Sequence, residues 1–444
     1  MKQIQTLTLI IAFIFCTNCH HAQDFDKAKI DSLLTIIENT DKGMGSVSLF
    51  KDGKEIYSRA YGFADVEQKK KADLSTKYRV GSITKSFTAA IILKLQEEGK
   101  LSLSQKLNDF YPNIINADLI SIEDMLGHQS GIFNVTSENN YLDWNTKAIS
   151  KQEMLDKIIA NGSRFKPGKG FEYSNSNYIL LTFIAEDVTD ESFANLLDKY
   201  IIKVCGLKNT RWGGKINAAQ NEAYSYAKSD TWKKQSETDM SIPLGAGAIV
   251  STPYDLNLFY HCLFEGKIIT AESLKQMTSI KNNFGLGLFQ LPFYELIGLG
   301  HNGGIDGFVS NAFYFPSEKT GIAITTNSGV SFPLNDIVVG VLSIYSNMDY
   351  DFPEITEAVS ITSEELDQFL GIYSTPTLPI KLTFTKDGTT LIAQGTGQPL
   401  FPLEYAGDNI FKFDAVKVKF HFFPDEDRIE MEQMGQKFEF RREE

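Results

Sequence analysis

Apolar residues follow two different rhythms along this chain, and the change between them divides it. From about Asp26 the order reads helix, hairpin, helix. Ser46-Val47-Ser48-Leu49-Phe50 runs into Lys51-Asp52-Gly53-Lys54 and then Glu55-Ile56-Tyr57; two short apolar runs about an Asp-Gly turn predict a β-hairpin. Ile83, Phe87, Ala90, Ile91 and Leu95 recur at helical spacing, and Gly99 supplies a stop. Mostly helical or irregular sequence continues to about Leu274, with a long stretch rich in Asn, Ser and Gly after Gly131. From Phe284 the pattern shortens. Phe284-Gly285-Leu286-Gly287-Leu288, Phe308-Val309, Ala312-Phe313-Tyr314-Phe315 and Gly321-Ile322-Ala323-Ile324-Thr325-Thr326 read as consecutive strands, and a helix of Ile, Val and Leu follows Asn335 to about Tyr345.

Beyond an acidic, Pro-interrupted stretch from Asp349 to Glu357, strict alternation takes over. Leu382 and Phe384, Phe411 and Phe413, Val418 and Phe420, Ile429 and Met431, and Phe438 and Phe440 alternate with polar residues between turns such as Asp387-Gly388 and Gly407-Asp408-Asn409. This predicts a small antiparallel barrel or sandwich, whose expected role is support of the larger unit. The fold class is therefore α+β. The early hairpin and the late strands complete one antiparallel sheet flanked by helices, with a helical subdomain between them and a small all-β barrel-like domain behind. The divisions are 1–22 for a leader, 26–346 for the main domain, 347–362 for a linker and 363–444 for the β-domain.

The leader reading rests on Met1-Lys2-Gln3, an apolar run from Leu7 to Phe15 and a polar end at Cys16-Thr17-Asn18-Cys19-His20-His21-Ala22-Gln23. That pattern predicts export to the periplasm or beyond, with cleavage after Ala22; Cys19 or Cys16 offers lipid attachment as the alternative. Cys205 and Cys262 are read as ordinary packed residues, with pairing in an oxidising compartment as the other reading. A net charge of -13 over 444 residues argues against a general nucleic-acid or anionic-membrane binder, and a 42% hydrophobic content is enough for a large core. No transmembrane segment is expected in the mature chain. No Cys or His cluster has metal-ligand spacing, so no metal and no cofactor is expected.

Candidate chemistry starts from a serine with a lysine three residues on, a pattern found at Ser48, Ser82, Ser163 and Ser225. In the Ser48 strand, residues three apart face opposite ways, and Ser163 and Ser225 lie in polar stretches without an apolar period. Only Ser82 opens an apolar helix, where positions i and i+3 share a face and bring the Lys85 amine beside the hydroxyl. A serine hydroxyl needs a base, a lysine serves as one only when neutral, and burial makes it so. Backbone N–H groups at the first helical turn are free to bind an oxyanion. Tyr173-Ser174-Asn175, between Pro167-Gly168 and an apolar helical run, offers a phenol to relay a proton and an amide to bridge Lys85 and substrate. His301-Asn302-Gly303-Gly304 places glycines on a strand edge, where a substrate amide can lie against the backbone and the Gly304 N–H can serve as a second oxyanion donor. Taken singly, these patterns also fit a helix cap, a buried tyrosine and a Gly-rich turn.

Taken together they resemble the serine β-lactamase-like hydrolases related to class C β-lactamases. The likeness is carried by Tyr78-Arg79-Val80-Gly81-Ser82-Ile83-Thr84-Lys85, Leu126-Gly127-His128-Gln129-Ser130-Gly131-Ile132, Tyr173-Ser174-Asn175, Gly245-Ala246-Gly247 and Gly300-His301-Asn302-Gly303-Gly304. The resemblance implies Ser82 as acylated nucleophile, Lys85 as its proton acceptor and Tyr173 as base or relay. It implies Asn175 as orienting group, the N–H groups of Ser82 and Gly304 as oxyanion donors, and His301 and Gly303 at the substrate-binding strand. β-Lactamases carry Lys-Thr-Gly where this chain has His301-Asn302-Gly303, and an uncharged histidine is no fixed partner for a substrate carboxylate. The expected function is thus an exported serine hydrolase cleaving an ester or amide, including D-amino-acid peptides, through an acyl-enzyme on Ser82. A β-lactamase or D,D-peptidase is the alternative enzyme. A non-catalytic module binding a muropeptide or acyl group is the alternative of another class. The expected partner is a small molecule or short peptide.

Overall fold

A computed structural model of the chain describes residues 25–228, 231–329, 331–353, 359–378, 380–396, 400–413, 416–433 and 435–443. The leader, Cys16, Cys19 and part of the linker lie outside the described residues.

Helix α1 (Lys27–Asn39) starts where the Asp26 carboxylate caps the Lys29 N–H at 2.9 Å, and it buries Ile30, Leu33, Leu34 and Ile37 at helical spacing. The hairpin follows as β1 (Gly45–Lys51) and β2 (Lys54–Tyr61), and Asp52 and Gly53 take the positive φ that their tight turn demands. The later strands are β3 (Phe289–Phe293), β4 (Leu296–Ile305), β5 (Phe308–Phe315) and β6 (Thr320–Thr326). Together they make one six-stranded sheet in the order β3-β4-β5-β6-β1-β2, so the first and last parts of the domain meet at β1 and β6. Residues 284–288, expected as a strand, are not one. Gly287 has φ +72°, Gly285 N–H closes a turn on Leu288 O, and a Cβ at Gly287 would lie 2.7 Å from Lys85 O. The segment is a turn pressed onto the helix that carries Lys85.

The sheet is covered on both faces. On one side α1 and α5 (Leu334–Tyr345) pack with Val47, Leu49, Phe313, Ile322 and Ile324 in a single apolar cluster. The other side receives α4 (Pro253–Phe264) and the helical half built around α2 (Thr84–Glu97) and α3 (Asn175–Thr189). Helix α2 is buried on every side from Thr84 to Leu93, which is the behaviour of a helix at a core rather than on a surface. Its Phe87 ring stacks on Phe259 of α4 at 3.6 Å, fixing α2 against the sheet layer.

Cys205 and Cys262 are joined by a disulfide with Cα atoms 5.8 Å apart, which corrects their reading as ordinary packed residues. Cys262 sits on α4 and Cys205 on the short helix Lys203–Cys205. Their proximity is a product of tertiary packing that a separation of 57 residues could not reveal. In the tail, eight strands from Gly371–Ser374 to Gln436–Arg442 close into a barrel, settling barrel over sandwich. Its interior is filled by Tyr373, Phe384, Phe411, Phe420 and Phe422, a core that shares no residue with the sheet clusters.

Candidate active site

Ser82 stands in the single 3-10 turn Gly81–Ile83 that leads into α2. Gly81 has φ +50°, and a Cβ on it would lie 2.8 Å from the backbone N and O of Gly304. Glycine is therefore required twice over, and the same contact brings the nucleophile's turn against the edge of β4. Strand β3 pairs only with Leu296 to Gly300, so β4 runs on past it and presents an unpaired edge from His301 to Ile305. The edge and the turn meet at Gly81 and Gly304, and Ser82 and Gly304, which carry the two expected oxyanion donors, line the same cavity.

One turn on, Lys85 is fully buried. Its Nζ lies 3.0 Å from Ser82 Oγ, 2.7 Å from Asn175 Oδ1 and 2.8 Å from the Ala246 carbonyl. Burial pulls the amine well below the ordinary lysine range. The rings of Tyr173 and Tyr178, 4.8 and 5.5 Å away, favour the cation but do not replace the lost water. A neutral amine has two N–H donors and one lone pair. Two carbonyl oxygens can accept only from the donors, so the lone pair falls to the Ser82 hydroxyl. In the neutral form this count is compatible with the base role expected of Lys85.

The partners of Lys85 are themselves fixed. Asn175 begins α3, its Nδ2 donates to Thr136 Oγ1 at 2.8 Å and its backbone N–H to Asn134 Oδ1 at 3.0 Å, which turns Oδ1 towards Lys85. Burial pushes the Tyr173 phenol up, against a side-chain hydrogen bond with Ser82 that pulls it down. Tyr173 is thus a neutral phenol beside the nucleophile. His128 stacks on it with ring centroids 4.4 Å apart, and its Nδ1 accepts the Ser174 N–H at 3.1 Å. Burial, then the charges of Lys85 and His301, hold His128 well below the usual histidine range. It is neutral, with its proton on Nε2.

Along β4, burial alternates, so His301 and Gly303 are buried and Asn302 and Gly304 exposed. The His301 ring is 1% exposed, and its Nδ1 donates to the Asn302 carbonyl. Burial, then Lys85, lowers it to about 3, against the Asn302 carbonyl, which raises it. Of the strand residues expected at the substrate, Gly304 lines the cavity described below, and His301 and Gly303 do not. His301 instead lies with its ring centroid 6.2 Å from that of Tyr173.

A cavity of about 330 Å³ opens over this cluster, lined in part by Ser82, Thr136, Asn175, Thr238, Gly304 and Asp306. The other Ser-Lys pairs do not assemble. Ser48 Oγ donates to Glu55, Ser163 Oγ to the Gly131 and Phe165 carbonyls, and Ser225 Oγ accepts from Gly307 N–H. Sequence reasoning missed Asn134, Thr136 and the Ala246 carbonyl as supports, and gave His128 no role. His128 carried a signal in Leu126-Gly127-His128-Gln129-Ser130-Gly131, and Ala246 in Gly245-Ala246-Gly247. Among the described residues no group of three His, Cys, Asp or Glu side chains is placed to hold a metal.

The β-lactamase family profile matches residues 36–337. The chain belongs to that family, and it is a serine hydrolase of the β-lactamase-related class. It is 28% identical over 378 residues to Protein flp of Staphylococcus aureus strain MW2, covering 79% of this chain and 72% of that one. Its fold is similar to that of D-amino acid amidase from Ochrobactrum anthropi SV3 in complex with D-phenylalanine, with a TM-score of 0.65, 24% identity and coverage of 72% and 99%. The octameric penicillin-binding protein homologue from Pyrococcus abyssi superposes with a TM-score of 0.64 at 22% identity, over 94% of this chain and all (100%) of that one. That coverage takes in strands of the barrel as well as the sheet.

Proposed function

We propose that this chain is an exported hydrolase that cleaves an ester or amide through an acyl-enzyme on Ser82. The observation that carries the reading is the buried Lys85 amine, 3.0 Å from Ser82 Oγ with its two other partners both carbonyl oxygens. Ser82 Oγ attacks the substrate carbonyl as its proton passes to Lys85. The carbonyl oxygen becomes an oxyanion held by the N–H groups of Ser82 and Gly304. Collapse expels the leaving group, which takes a proton returned through Lys85 and Tyr173, and leaves an ester on Ser82. Water, deprotonated through the same pair, attacks that ester and restores the serine. Support for export comes from the apolar leader and the Cys205–Cys262 disulfide, a bond of oxidising compartments.

Among amides, a D-amino-acid amide or peptide is the reading that the amidase likeness brings. A neutral, buried His301 supplies no cation for the carboxylate of a β-lactam, and the β-lactamase alternative is the weaker for it. The test is turnover of a p-nitrophenyl ester and labelling by a fluorophosphonate, with and without Ser82→Ala. Loss of both in the variant is expected; a variant with full activity would end the mechanism. Stoichiometric labelling of the native chain without turnover would restore the binding-module reading. A panel of esters, D-peptides and β-lactams then sets the substrate.

A further inference from the structure

Three residues before the nucleophile, the Arg79 side chain is 2% exposed, with both terminal nitrogens engaged and its Nε buried without a partner. Its Nη1 donates to Asp306 Oδ2 at 2.8 Å and to the Thr238 carbonyl at 2.9 Å. Its Nη2 donates to the Gly214 carbonyl at 2.9 Å and to Glu237 Oε2 at 3.3 Å. Asp306, whose side chain is 3% exposed, uses its other oxygen to accept from Thr238 twice, from the backbone N–H at 3.0 Å and from Oγ1 at 2.7 Å. Thr238 Oγ1 in turn accepts from Asn145 Nδ2 at 3.1 Å. A buried ion pair with every oxygen occupied is expensive to assemble and gives little net stability, so its position calls for another explanation.

That position is informative. Thr238, Asn145 and Asp306 line the cavity, and Asp306 follows Gly304 by two residues on the same chain. Arg79 itself lies on the short strand Tyr78–Arg79, whose continuation is the Gly81–Ile83 turn. One guanidinium therefore ties together the nucleophile's turn, the end of the oxyanion strand and the facing wall of the cavity. These segments are far apart in sequence, and the Arg79 and Asp306 side chains join the wall to the strand end through the Thr238 backbone and hydroxyl.

We propose that Arg79, Asp306 and Thr238 form a positioning clamp that sets the cavity wall against the Gly304 strand end, and so governs how much acyl chain the site accepts. The inference rests on the acyl-transfer reading of Ser82 for its kinetic consequences and on the hydrogen bonds alone for its structural ones. Thr238→Val deletes the hydroxyl that bridges Asp306 and Asn145 but keeps the shape, while Thr238→Ser keeps the hydroxyl. Asp306→Asn offers one acceptor where the carboxylate offers two, so either Arg79 or Thr238 loses its partner.

The experiment compares kcat and KM for p-nitrophenyl acetate and hexanoate in the full chain and the three variants. In Thr238→Val the hexanoate-to-acetate ratio of kcat/KM falls about tenfold, mostly through KM, and Thr238→Ser restores it to within about threefold. In Asp306→Asn kcat falls about tenfold or more on both esters, because Gly304 loses its anchor. Equal losses on both esters in Thr238→Val, or a serine variant as damaged as the valine one, would overturn the clamp. Hydrogen exchange of peptides spanning residues 235–240 reads the same network without turnover. Faster exchange in Thr238→Val and Asp306→Asn supports the clamp, and exchange unchanged from the native chain overturns it. An unmodified chain inert to both esters and to a fluorophosphonate would instead remove the acyl-transfer reading, with the exchange result still deciding the clamp.

Discussion

Lys85 shows how placement alone can fit an ordinary side chain for the base role in the proposed reaction. Burial removes the water that would stabilise the cation, and the two carbonyl acceptors leave the lone pair for Ser82. A pH dependence follows. Activity requires the neutral amine, so kcat/KM should rise with pH along a limb whose apparent pKa lies below the ordinary lysine range of about 10.4. His128 and His301 are already neutral above pH 6, so they should add no second limb between pH 6 and 8. A pH–rate profile of the ester reaction checks this, and a limb at the ordinary lysine value would argue against Lys85 as base. The serine-lysine pair was legible because an apolar helical period holds the two residues on one face. The Ala246 carbonyl was not, because any residue supplies a carbonyl and only the fold decides where it points. His128 stood in a quoted motif, yet its stacking on Tyr173 depends on a backbone φ of +57° that sequence does not announce.

At the scale of elements, the site is a contact between a turn and a strand edge. Gly81→Ala should fail on both counts, since φ +50° disfavours a side chain and the new Cβ would meet the Gly304 backbone at 2.8 Å. The strand edge cannot yield as a flexible side chain would. We expect a loss of about 1–3 kcal/mol in stability and of 100-fold or about that in kcat, read by urea denaturation and ester hydrolysis. Near-native kcat would show that the turn does not need this approach. The disulfide acts between elements too. Closing a loop over 57 residues of separation predicts a loss of up to about 4 kcal/mol on reduction or in Cys262→Ala. Thermal unfolding with and without reductant measures it, and an unchanged midpoint would show the bond to be energetically idle. The sheet was legible from its middle, where the hairpin strand β1 pairs with the run from Gly321 to Thr326. The missed turn at 284–288 shows why apolar alternation misleads when glycines supply every second position.

Across the whole molecule, the hydrolase and the barrel keep separate cores, and ion pairs join them where Lys42 meets Glu404 at 2.7 Å, Lys417 meets Asp336 at 3.5 Å and Lys233 meets Asp387. The hydrolase alone concentrates three buried basic groups, Lys85, His128 and His301, where its sheet meets its helical half. Burial lowers the pKa of each, and this couples global stability to pH. A histidine whose folded pKa is lowered binds its proton more readily when unfolded. The stability it contributes is therefore complete above the ordinary value near 6.5 and is lost as pH falls towards its folded value, about 3 for His301. Across that window one such group costs about 1.4 kcal/mol per pH unit. Paired carboxylates such as Glu97, lowered to about 2 despite burial that opposes it, by its bonds to Ser273, Thr270 and Lys94, add their own loss only below about pH 4.5. Between pH 6.5 and 4.5 the histidines dominate. The slope of unfolding free energy against pH in that interval should therefore be positive in the native chain and shallower by about 1.4 kcal/mol per unit in His301→Gln. Urea titrations at pH 6.5, 5.5 and 4.5 give the slope directly. Equal slopes in the two proteins would mean that His301 is protonated in the fold, and the neutral, inward-facing histidine on the substrate strand would have to be abandoned.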